Sequence, residues 1–489
     1  MSILTERRTY VAGEWVTGDQ VIAVENPADE THVADVSATP VAEVERAILA
    51  ARTAFDDGIW AQRTPRDRAE AVHTLIDHLE ANHETLVDTL VAEAGQPVRF
   101  ADETQCRTGI SIARQTIDLY LSMRHEEATP VPVDDLTRGR VALSILRHEP
   151  VGVVTAITPY NAALIMALQK LIPALMAGNS VILRPSPLTP LSSLIFGHAA
   201  DAAGLPPGVL SVVAEEGTEG AQLLTTHPAV DMVSFTGSTV AGRNIIAQAA
   251  PTVKRLSLEL GGKSAQIYLP DALERVGIGA MGVVARTAGQ ACVAATRMLV
   301  PEEHKEEVLE RVAAAYNSIK VGSPTDPTAL MGPVISAAQR SKCERFVQLA
   351  EEQGAKVRAG GKRPEGLDRG YYFEPTVLDL PNNSNPAAQE EIFGPVLGVI
   401  GYRDVDDAVR IANDSVYGLS GQVYGADAAA AVAVARRIRA GAVNVNTTVF
   451  SALAPSGGYK QSGLGRERGP EGIREFQEVK HMSIGELPK

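Results

Sequence analysis

The sequence predicts an α/β protein with a doubly wound parallel sheet, joined to a second α/β region. Apolar, β-branched runs alternate with helical patterns between residues 151 and 260. Strands that are separated by helices form βαβ units and pair in parallel, with helices packed on both faces of the sheet. The alternation continues after Leu260, and 489 residues are enough for two large domains.

The region before residue 124 is predicted to hold a hairpin and three helices. Gly13 separates Tyr10-Val11 from Trp15-Val16, which is typical of a short hairpin. Thr39-Pro40 would cap a helix and place proline at its first position. Apolar residues at helical spacing predict two further helices, one from near Pro65 and one through Ile110, Ala113 and Ile117.

Strands are expected in two stretches, one for a β arm and one for the parallel sheet. A β arm is predicted at 129–133 and 141–146. Doubly wound sheets bind ligands at the carboxyl ends of their strands, and five parallel strands are expected at 151–157, 180–183, 209–213, 232–235 and 254–260. The second region is predicted to have helices from about residue 272 and at 406–413, with strands at 299–300, 371–378, 396–400 and 442–445.

Composition argues against several classes of protein. Charged residues make up 21% and the hydrophobic set 45%, which is ordinary for a globular protein. The net charge of -14 argues against a broad surface for nucleic acid or anionic membrane. We expect no signal peptide and no membrane span, since the start lacks an apolar core and the apolar runs are short. The spacing of Cys106, Cys292 and Cys343 suggests neither disulfides nor a metal site, which favours a reducing cytoplasm.

Cys292 is the first candidate for chemistry. It lies in the segment Gly289-Gln290-Ala291-Cys292, where small neighbours would let a substrate approach. A thiol with a free pKa of roughly 8.5 becomes a nucleophilic thiolate after a modest environmental shift. Free cysteines are more often buried structural residues, so this segment alone leaves both interpretations open.

Asn161 and Glu259 each lie at the end of a predicted strand. Asn161, in Thr158-Pro159-Tyr160-Asn161, has amide hydrogens that can stabilise an oxyanion, and capping of the next helix is the equal alternative. Glu259 lies in Leu258-Glu259-Leu260-Gly261-Gly262-Lys263. Burial among apolar neighbours would raise its pKa toward the range of a general base, although a salt-bridged glutamate is the commoner case.

Two further segments are candidates for contacts with a phosphate or a sugar. Residues 235–242 leave a strand and open a helix, whose backbone amides and positive end suit a phosphate. Their Gly-x-x-x-x-Gly spacing differs from the dinucleotide fingerprint, so the segment alone is a weak indication. Glu390-Glu391, before Phe393-Gly394-Pro395, could contact ribose hydroxyls, and a solvated loop is the alternative.

Taken together and in this order, these segments resemble the aldehyde dehydrogenase superfamily over essentially the whole chain. Asn161, Glu259, the Gly-Gln-x-Cys segment and the Glu-Ile-Phe-Gly-Pro segment have the expected order and spacing, and residues 457–463 add a family signature. The resemblance implies a Rossmann-type cofactor domain at 1–123 and 145–260, a catalytic domain at 261–455, and a β oligomerisation arm at 124–144 and 470–489. It also implies a homodimer or homotetramer.

The resemblance implies a mechanism as well. Cys292 attacks an aldehyde, the backbone amide of Cys292 and the side chain of Asn161 hold the oxyanion, and a hydride passes to nicotinamide. Glu259 then activates the water that hydrolyses the thioester to a carboxylic acid. Lys170 would assist a proton path, although a surface lysine there would be unremarkable. Contacts with the cofactor are expected from Thr158, Pro159, Tyr160, Arg184, Ser186, Gly217, Gly237, Ser238, Gly242, Leu260, Glu391 and Phe393.

Residues 184–187 depart from the family pattern. Family members often carry Lys-Pro-Ser-Glu there, whereas this chain has Arg184-Pro185-Ser186-Pro187. A carboxylate would repel a 2′-phosphate and Arg184 would attract one, so both NAD and NADP are permitted. We expect NAD, because loss of a repulsive group permits a ligand without selecting it.

The expected substrate tunnel has few aromatic side chains. Tyr160 and Phe450 supply its rings, whereas the other expected positions are small or flexible, namely Ala162, Gln169, Val293 and Ser456. A wide tunnel favours a medium or bulky aldehyde, aromatic or terpenoid-like, over acetaldehyde. A semialdehyde or CoA-acylating dehydrogenase of the same fold is one alternative, although acyl-transferring members commonly lack the base at Glu259. A non-catalytic binding or structural protein is the other alternative.

Overall fold

A computed structural model of the chain describes residues 2–129, 143–285, 287–449, 451 and 453–485. Within these residues, the first sheet has eight strands, and its five central strands are parallel, as predicted. Segments such as Val153–Ile157 are buried along their whole length, as expected when helices cover both faces. In spatial order the strands are Glu14–Val16, Thr9–Val11, Leu210–Val212, Ser180–Arg184, Val153–Ile157, Met232–Thr236, Arg255–Glu259 and Gly463–Leu464.

The N-terminal hairpin is confirmed and joins this sheet, because Tyr10 pairs with Val212. The expected helix after it begins at Val41 rather than at Pro40. Thr39 does not cap that helix, since its hydroxyl donates to Thr9 Oγ1 and accepts from the backbone N–H of Ala214. The helices of this half are Val41–Asp56, Pro65–Ala81, His83–Ala94, Val98–Phe100, Gly109–Ser122, Ala163–Ala177, Leu191–Ala202, Glu219–Thr226 and Thr239–Ala249, with a π-helix at Ala101–Thr108.

The second sheet has seven strands within the described residues. The predicted strands around residues 299, 396 and 442 are present, and the one predicted at 371–378 begins only at Thr376. Sequence reasoning did not assign the central strand Ala265–Tyr268, because this four-residue segment contains a glutamine and is too short to form a recognisable apolar run. In spatial order the strands are Lys356–Ala359, Thr376–Asp379, Val396–Tyr402, Arg297–Pro301, Ala265–Tyr268, Ser420–Tyr424 and Ala442–Val445.

Most helices of the second half pack against this sheet, whereas the last helix, Gly469–Glu475, packs against helices of the first half. The helix predicted from about residue 272 begins at Val276 after a short 3₁₀ turn, and the predicted helix at 406–413 is present as Val405–Asn413. Asp404 caps the latter by accepting from the backbone N–H of Asp407. The helices are Val276–Val284, Lys305–Asn317, Ala337–Glu352, Pro386–Gln389, Val405–Asn413, Ala428–Ala435 and Gly469–Glu475.

A separate sheet of three strands lies where the β arm was predicted. Its order is Gln477–Ile484, Leu143–Pro150 and Glu126–Thr129, all antiparallel. Residues 130–142, which include most of the predicted arm strands, lie outside the described residues. A second hairpin, Val21–Asn26 with Thr31–Ser37, was not anticipated. Across the described residues, no helix combines the length and the apolar character needed to cross a membrane.

Candidate active site

The carboxyl ends of the parallel strands bring the predicted site residues to one edge of the first sheet. Ile157 pairs with Arg184, so the chain leaves both strands at the same level. Thr236 likewise pairs with Glu259 on the other side. Because the strands run in the same direction, the loops that follow them open on the same side, where doubly wound sheets bind ligands.

A cavity of about 340 Å³ lies at this edge. Its walls contain many of the predicted residues: Thr158, Pro159, Tyr160, Asn161, Arg184, Ser186, Gly237, Ser238, Leu260, Cys292, Glu391 and Phe393. Sequence reasoning missed Gln339 and Lys342, which reach the cavity from the helix Ala337–Glu352. The sequence of this helix contains no motif, and helical spacing alone does not indicate which residues face a site. No local signal could therefore have identified Gln339 and Lys342.

Close backbone packing holds Cys292 at this cavity. A side chain at Gly262 would place its Cβ 2.4 Å from the backbone oxygen of Cys292, so only glycine permits this approach. A side chain at Gly289 would similarly meet the backbone of Gly394, and Gly289 has a φ of +73°. Gly262 therefore lets the segment after the strand Arg255–Glu259 pack closely against Cys292. Gly289 likewise lets the cysteine segment pack closely against the loop that contains Phe393.

The electrostatic surroundings of Cys292 oppose its ionisation. Desolvation by the surrounding protein, together with the nearby carboxylates of Glu259, Glu391 and Glu467, raises the pKa of Cys292 to about 12. These surroundings therefore favour the neutral thiol of Cys292. Deprotonation of Cys292 at neutral pH requires either a base or the charge of a bound ligand.

Asn161 is held against the cysteine segment by two layers of hydrogen bonds. Its side-chain Nδ2 donates to the backbone carbonyl of Gln290 at 2.7 Å, and the Tyr160 hydroxyl donates to Gln290 Oε1 at 3.1 Å. The backbone carbonyl of Asn161 accepts from Gln96 Nε2 at 2.8 Å and from Gln105 Nε2 at 3.3 Å. Asn161 does not cap the following helix, where Ala162 occupies the cap position without a side-chain bond. The capping alternative is therefore wrong.

Glu259 is a buried carboxyl group with one free oxygen. The residue is only 6% exposed, and its Oε1 has no hydrogen-bond partner among the described residues. Burial, with repulsion from Glu467, raises the pKa of Glu259, while the nearby cations Lys170 and Arg466 oppose the shift. The expectation that burial moves the pKa of Glu259 upward is confirmed, and the salt-bridged alternative does not hold.

Lys170 is completely buried, in contrast to an ordinary surface lysine. Its Nζ donates to Glu467 Oε1 at 2.5 Å and to Ser234 Oγ at 3.1 Å. Glu467 exchanges backbone hydrogen bonds with Ser456. Lys170 and Glu467 therefore form a buried ion pair, and both contribute to the charge around Glu259.

The segment at Glu391 closes the cavity on the side of the second sheet. Glu391 Oε1 accepts from the backbone N–H of Gly262 at 2.9 Å, and burial raises the pKa of Glu391. Phe393 has a left-handed backbone with φ +60° and meets the Tyr160 ring edge-on at 6.0 Å between centroids. The side chain of Gln339 donates to the Phe393 carbonyl at 2.8 Å, which helps to hold this backbone conformation.

Three of the predicted cofactor contacts have structural partners of their own. Arg184 pairs with Glu215 and also donates to the Gly217 carbonyl. Ser238 accepts from the backbone N–H of Ala241 and so caps the helix Thr239–Ala249. A side chain at Gly242 would collide with Leu260, so this glycine allows close packing of the helix on the strand end.

Several predicted residues are not among those that line this cavity. Glu259 and Lys170 are buried next to it, and the others are Gly217, Gly242, Ala162, Gln169, Val293 and Ser456. Phe450 lies outside the described residues. Two wall residues, Thr158 and Thr236, keep buried hydroxyl oxygens without a partner, which suits a ligand with complementary hydrogen-bonding groups.

Comparisons with known proteins agree with this geometry. The Aldehyde dehydrogenase family matches residues 15–482. Geranial dehydrogenase of Castellaniella defragrans is 37% identical over 98% of this chain and 99% of its own length. Aldehyde dehydrogenase C of Pseudomonas syringae, crystallised as a mutant with NAD+ and octanal, has a TM-score of 0.93 and 38% identity, covering 99% of this chain and 98% of its own.

Betaine aldehyde dehydrogenase of Staphylococcus aureus, crystallised with NAD+, has a TM-score of 0.94 and 35% identity. The superposition covers 99% of this chain and 96% of that one. Both the sequence match and the shared architecture extend over nearly the whole length of the chain. The chain therefore belongs to the aldehyde dehydrogenase family.

Proposed function

We propose that this protein oxidises an aldehyde to a carboxylic acid with NAD, through a covalent adduct on Cys292. The observation that carries the proposal is the pairing of a cavity cysteine with a buried carboxyl group, Glu259, whose Oε1 is free. Among the charged groups, Glu259 has the largest effect on the pKa of Cys292, so the two are electrostatically coupled. A carboxyl group and a thiol at the same site suit a reaction that needs both a nucleophile and an activated water.

In the first step, the Cys292 thiol would lose its proton to solvent, favoured by the positive charge of bound NAD, the sulfur would form a bond to the carbonyl carbon, and the carbonyl oxygen would become an oxyanion. Asn161 is assigned to this oxyanion because its amide is already fixed by Gln290, which places the side chain beside the cysteine segment. Its second N–H, together with the backbone N–H of Cys292, would donate to the oxyanion. Donors that are positioned in advance stabilise developing charge without reorganisation.

The residues around the cavity fit NAD. The unpartnered hydroxyls of Thr158 and Thr236 supply hydrogen-bonding groups, and the first turn of the helix Thr239–Ala249 offers free N–H groups to a pyrophosphate. Glu391 and Lys342 are assigned to the nicotinamide ribose, with Phe393 beside it. When bound, NAD supplies the hydride acceptor that turns the adduct into a thioester.

Glu259 is assigned to the second step, in which water breaks the thioester. A raised pKa makes this carboxylate a stronger base than a surface glutamate, so it can take a proton from water near neutral pH. The ion pair of Lys170 and Glu467 is assigned to the route by which that proton leaves. Attack by water breaks the carbon–sulfur bond, releases the acid and returns Cys292 to the thiol.

For the substrate we propose a medium or bulky aldehyde, aromatic or terpenoid-like. The positions expected to line the substrate tunnel carry small or flexible side chains, and this supports the proposal because such side chains leave room for a bulky substrate; they are Ala162, Gln169, Val293 and Ser456. Two relatives are named with aldehydes larger than acetaldehyde. One is geranial dehydrogenase, and the other is an aldehyde dehydrogenase crystallised with octanal. Better efficiency on acetaldehyde than on citral or benzaldehyde would contradict this assignment.

The domain and assembly assignments are also proposals. We assign residues 1–123 and 145–260 to cofactor binding, 261–455 to catalysis, and 124–144 with 470–489 to an arm that joins protomers into a dimer or tetramer. An outer strand of a three-stranded sheet, Gln477–Ile484, supports the arm, because its edge can pair with a second copy. Three free cysteines support a reducing, cytoplasmic location.

The experiment is an absorbance assay of nicotinamide reduction over an aldehyde panel, with Cys292→Ala as the inactive variant and Cys343→Ala as the matched control. Cys343 is buried behind the wall residue Gln339 and does not itself line the cavity, so turnover that disappears only in the first variant supports the proposal. Product that appears only when coenzyme A is added would favour the acylating alternative. A folded protein that binds NAD but oxidises no aldehyde, semialdehydes included, would favour a non-catalytic role.

A further inference from the structure

An ion pair joins the ends of two neighbouring strands beside the proposed cofactor site. Arg184 ends the strand Ser180–Arg184, and Glu215 follows the adjacent parallel strand Leu210–Val212. Arg184 Nε lies 3.3 Å from Glu215 Oε1, and Arg184 Nη2 donates to the carbonyl of Gly217 at 3.1 Å. Both side chains are about one-tenth exposed, at 11% and 12%. Two of the guanidinium nitrogens of Arg184, Nε and Nη2, are therefore already engaged.

The carboxylate of Glu215 is fixed in place at the start of the next helix. Its Oε2 accepts from the backbone N–H of Gly220 at 2.7 Å, and its Oε1 accepts from that of Ala221 at 2.7 Å. Charge-assisted bonds to a helix N-terminus are among the stronger hydrogen bonds in proteins. Glu215 cannot turn away from Arg184 without losing them, so its negative charge stays beside the arginine.

This position matters for the adenosine half of NAD. In doubly wound folds an acidic side chain beyond the second strand accepts from the ribose 2′-hydroxyl, whereas an arginine there accommodates the 2′-phosphate of NADP. The second strand here ends in Arg184, and position 187 is proline. The arginine alone would favour NADP. The fixed carboxylate cancels its charge, and the structure supplies this acid from the third strand rather than from the second.

We infer that Glu215 is the residue that makes this protein prefer NAD to NADP, by accepting from the ribose hydroxyl and by repelling a 2′-phosphate. This inference rests on the proposed function only in taking NAD as the cofactor. A 2′-phosphate carries about two negative charges, and it would have to displace Glu215 to reach Arg184. The exposed Glu216 also lies nearby, but it has no bond to Arg184 that would hold it at the ribose.

The test compares kcat/KM with NADP and with NAD for the wild-type protein, Glu215→Gln and Glu216→Gln. Glu215→Gln and Glu216→Gln each remove one negative charge, so a difference between them reports the position of that charge. We expect the wild-type protein to favour NAD by at least about tenfold, and Glu215→Gln to raise the NADP-to-NAD ratio by about tenfold or more. The ratio for Glu216→Gln should stay within about twofold of wild type, because exposed charges are screened.

Two further variants separate charge from architecture. Glu215→Asp keeps the charge and is expected to keep the NAD preference, whereas Arg184→Met leaves an unpaired acid and should not raise the ratio. A wild-type preference for NADP would overturn the inference, as would equal ratios for Glu215→Gln and Glu216→Gln or a higher ratio in Arg184→Met. The wild-type and Arg184→Met results decide the matter even if Glu215→Gln does not fold.

Equilibrium binding makes the test independent of turnover. NAD and NADP are titrated into the Cys292→Ala protein and into its double variant with Glu215→Gln. If no aldehyde is oxidised but the ratio of dissociation constants shifts by about tenfold, the proposed activity fails and the assignment of Glu215 stands. If turnover is normal and the ratio of dissociation constants does not shift, the assignment of Glu215 fails and the proposed activity stands.

Discussion

Lys170 and Glu467 form a completely enclosed ion pair, with Lys170 Nζ 2.5 Å from Glu467 Oε1. The pair joins the helix Ala163–Ala177 to the loop before the last helix, and it lies beside the buried carboxyl of Glu259. Removal of one partner would leave a buried charge without compensation. That situation is far more costly than the loss of an exposed pair.

Lys170→Met is therefore expected to lower the free energy of unfolding by about 3–5 kcal/mol. The measurement is the urea midpoint at neutral pH. Lys320→Met is the matched control, since Lys320 pairs with Asp326 at a similar distance of 2.7 Å but is 55% exposed. Its expected cost is about 0–1 kcal/mol. Equal shifts in the two variants would mean that the burial of the Lys170 pair has no energetic consequence.

Glu259→Gln is expected to slow steady-state turnover by about 100-fold to 10,000-fold, because the proposed base for thioester hydrolysis is lost. The first turnover should survive as a burst of reduced cofactor close to one equivalent per site, since the base is needed after the hydride has left. Glu471→Gln, which removes an exposed carboxyl group, should behave as wild type. Loss of the burst together with turnover would place Glu259 before the covalent step instead.

The pH dependence of turnover should follow the raised pKa of Glu259. A base works only when deprotonated, so hydrolysis is expected to weaken as the pH falls through that pKa, well above the range of a surface glutamate. The check is a profile of kcat from pH 5 to pH 9 under conditions where hydrolysis limits the rate. A flat profile down to pH 5 would contradict the assignment.

Asn161→Asp is expected to reduce kcat/KM by about 100-fold to 1,000-fold, because the side chain keeps its shape but loses its N–H donors. The rate of Cys292 alkylation by iodoacetamide measures access to the thiol and separates a lost oxyanion donor from a displaced cysteine. Gln115→Glu, an exposed amide-to-acid change on the helix Gly109–Ser122, serves as the control. An alkylation rate that falls as far as turnover would show that Asn161 mainly positions the cysteine segment.

Glu93 gives a prediction about stability. It is buried in the helix His83–Ala94 and accepts from the backbone N–H groups of Leu191 and Ser192, and burial raises its pKa to about 7. The folded state therefore binds its proton more tightly than the unfolded state does. The contribution of Glu93 to stability is full below pH 4.5 and is lost as the pH rises to about 7.

Glu93→Gln should accordingly flatten the loss of stability between about pH 4.5 and pH 7, because the amide cannot ionise. The measurement is the unfolding midpoint across this window, compared with Glu84→Gln on the same helix, whose side chain is exposed. An unchanged slope in Glu93→Gln would show that the Glu93 carboxyl does not titrate there.

Local patterns were sufficient where a property depends on neighbours in the chain. The five parallel strands and the N-terminal hairpin follow from apolar alternation and turn residues, and the structure has both. The approach failed at Ala265–Tyr268, a short strand buried on both faces, and at Thr39, whose hydroxyl bonds to distant residues instead of a helix. In both cases tertiary contacts override the local preference.

The sequence by itself determined the family and the α/β architecture and singled out Cys292, Asn161 and Glu259 as the residues proposed to carry the chemistry, because residue type and order are properties of the chain. Only the tertiary structure decided which partners they meet. The contacts of Asn161 with Gln290, Lys170 with Glu467 and Arg184 with Glu215 span 129, 297 and 31 residues. Burial and ionisation depend on such contacts, because desolvation is set by everything packed around a group and not by its neighbours in sequence.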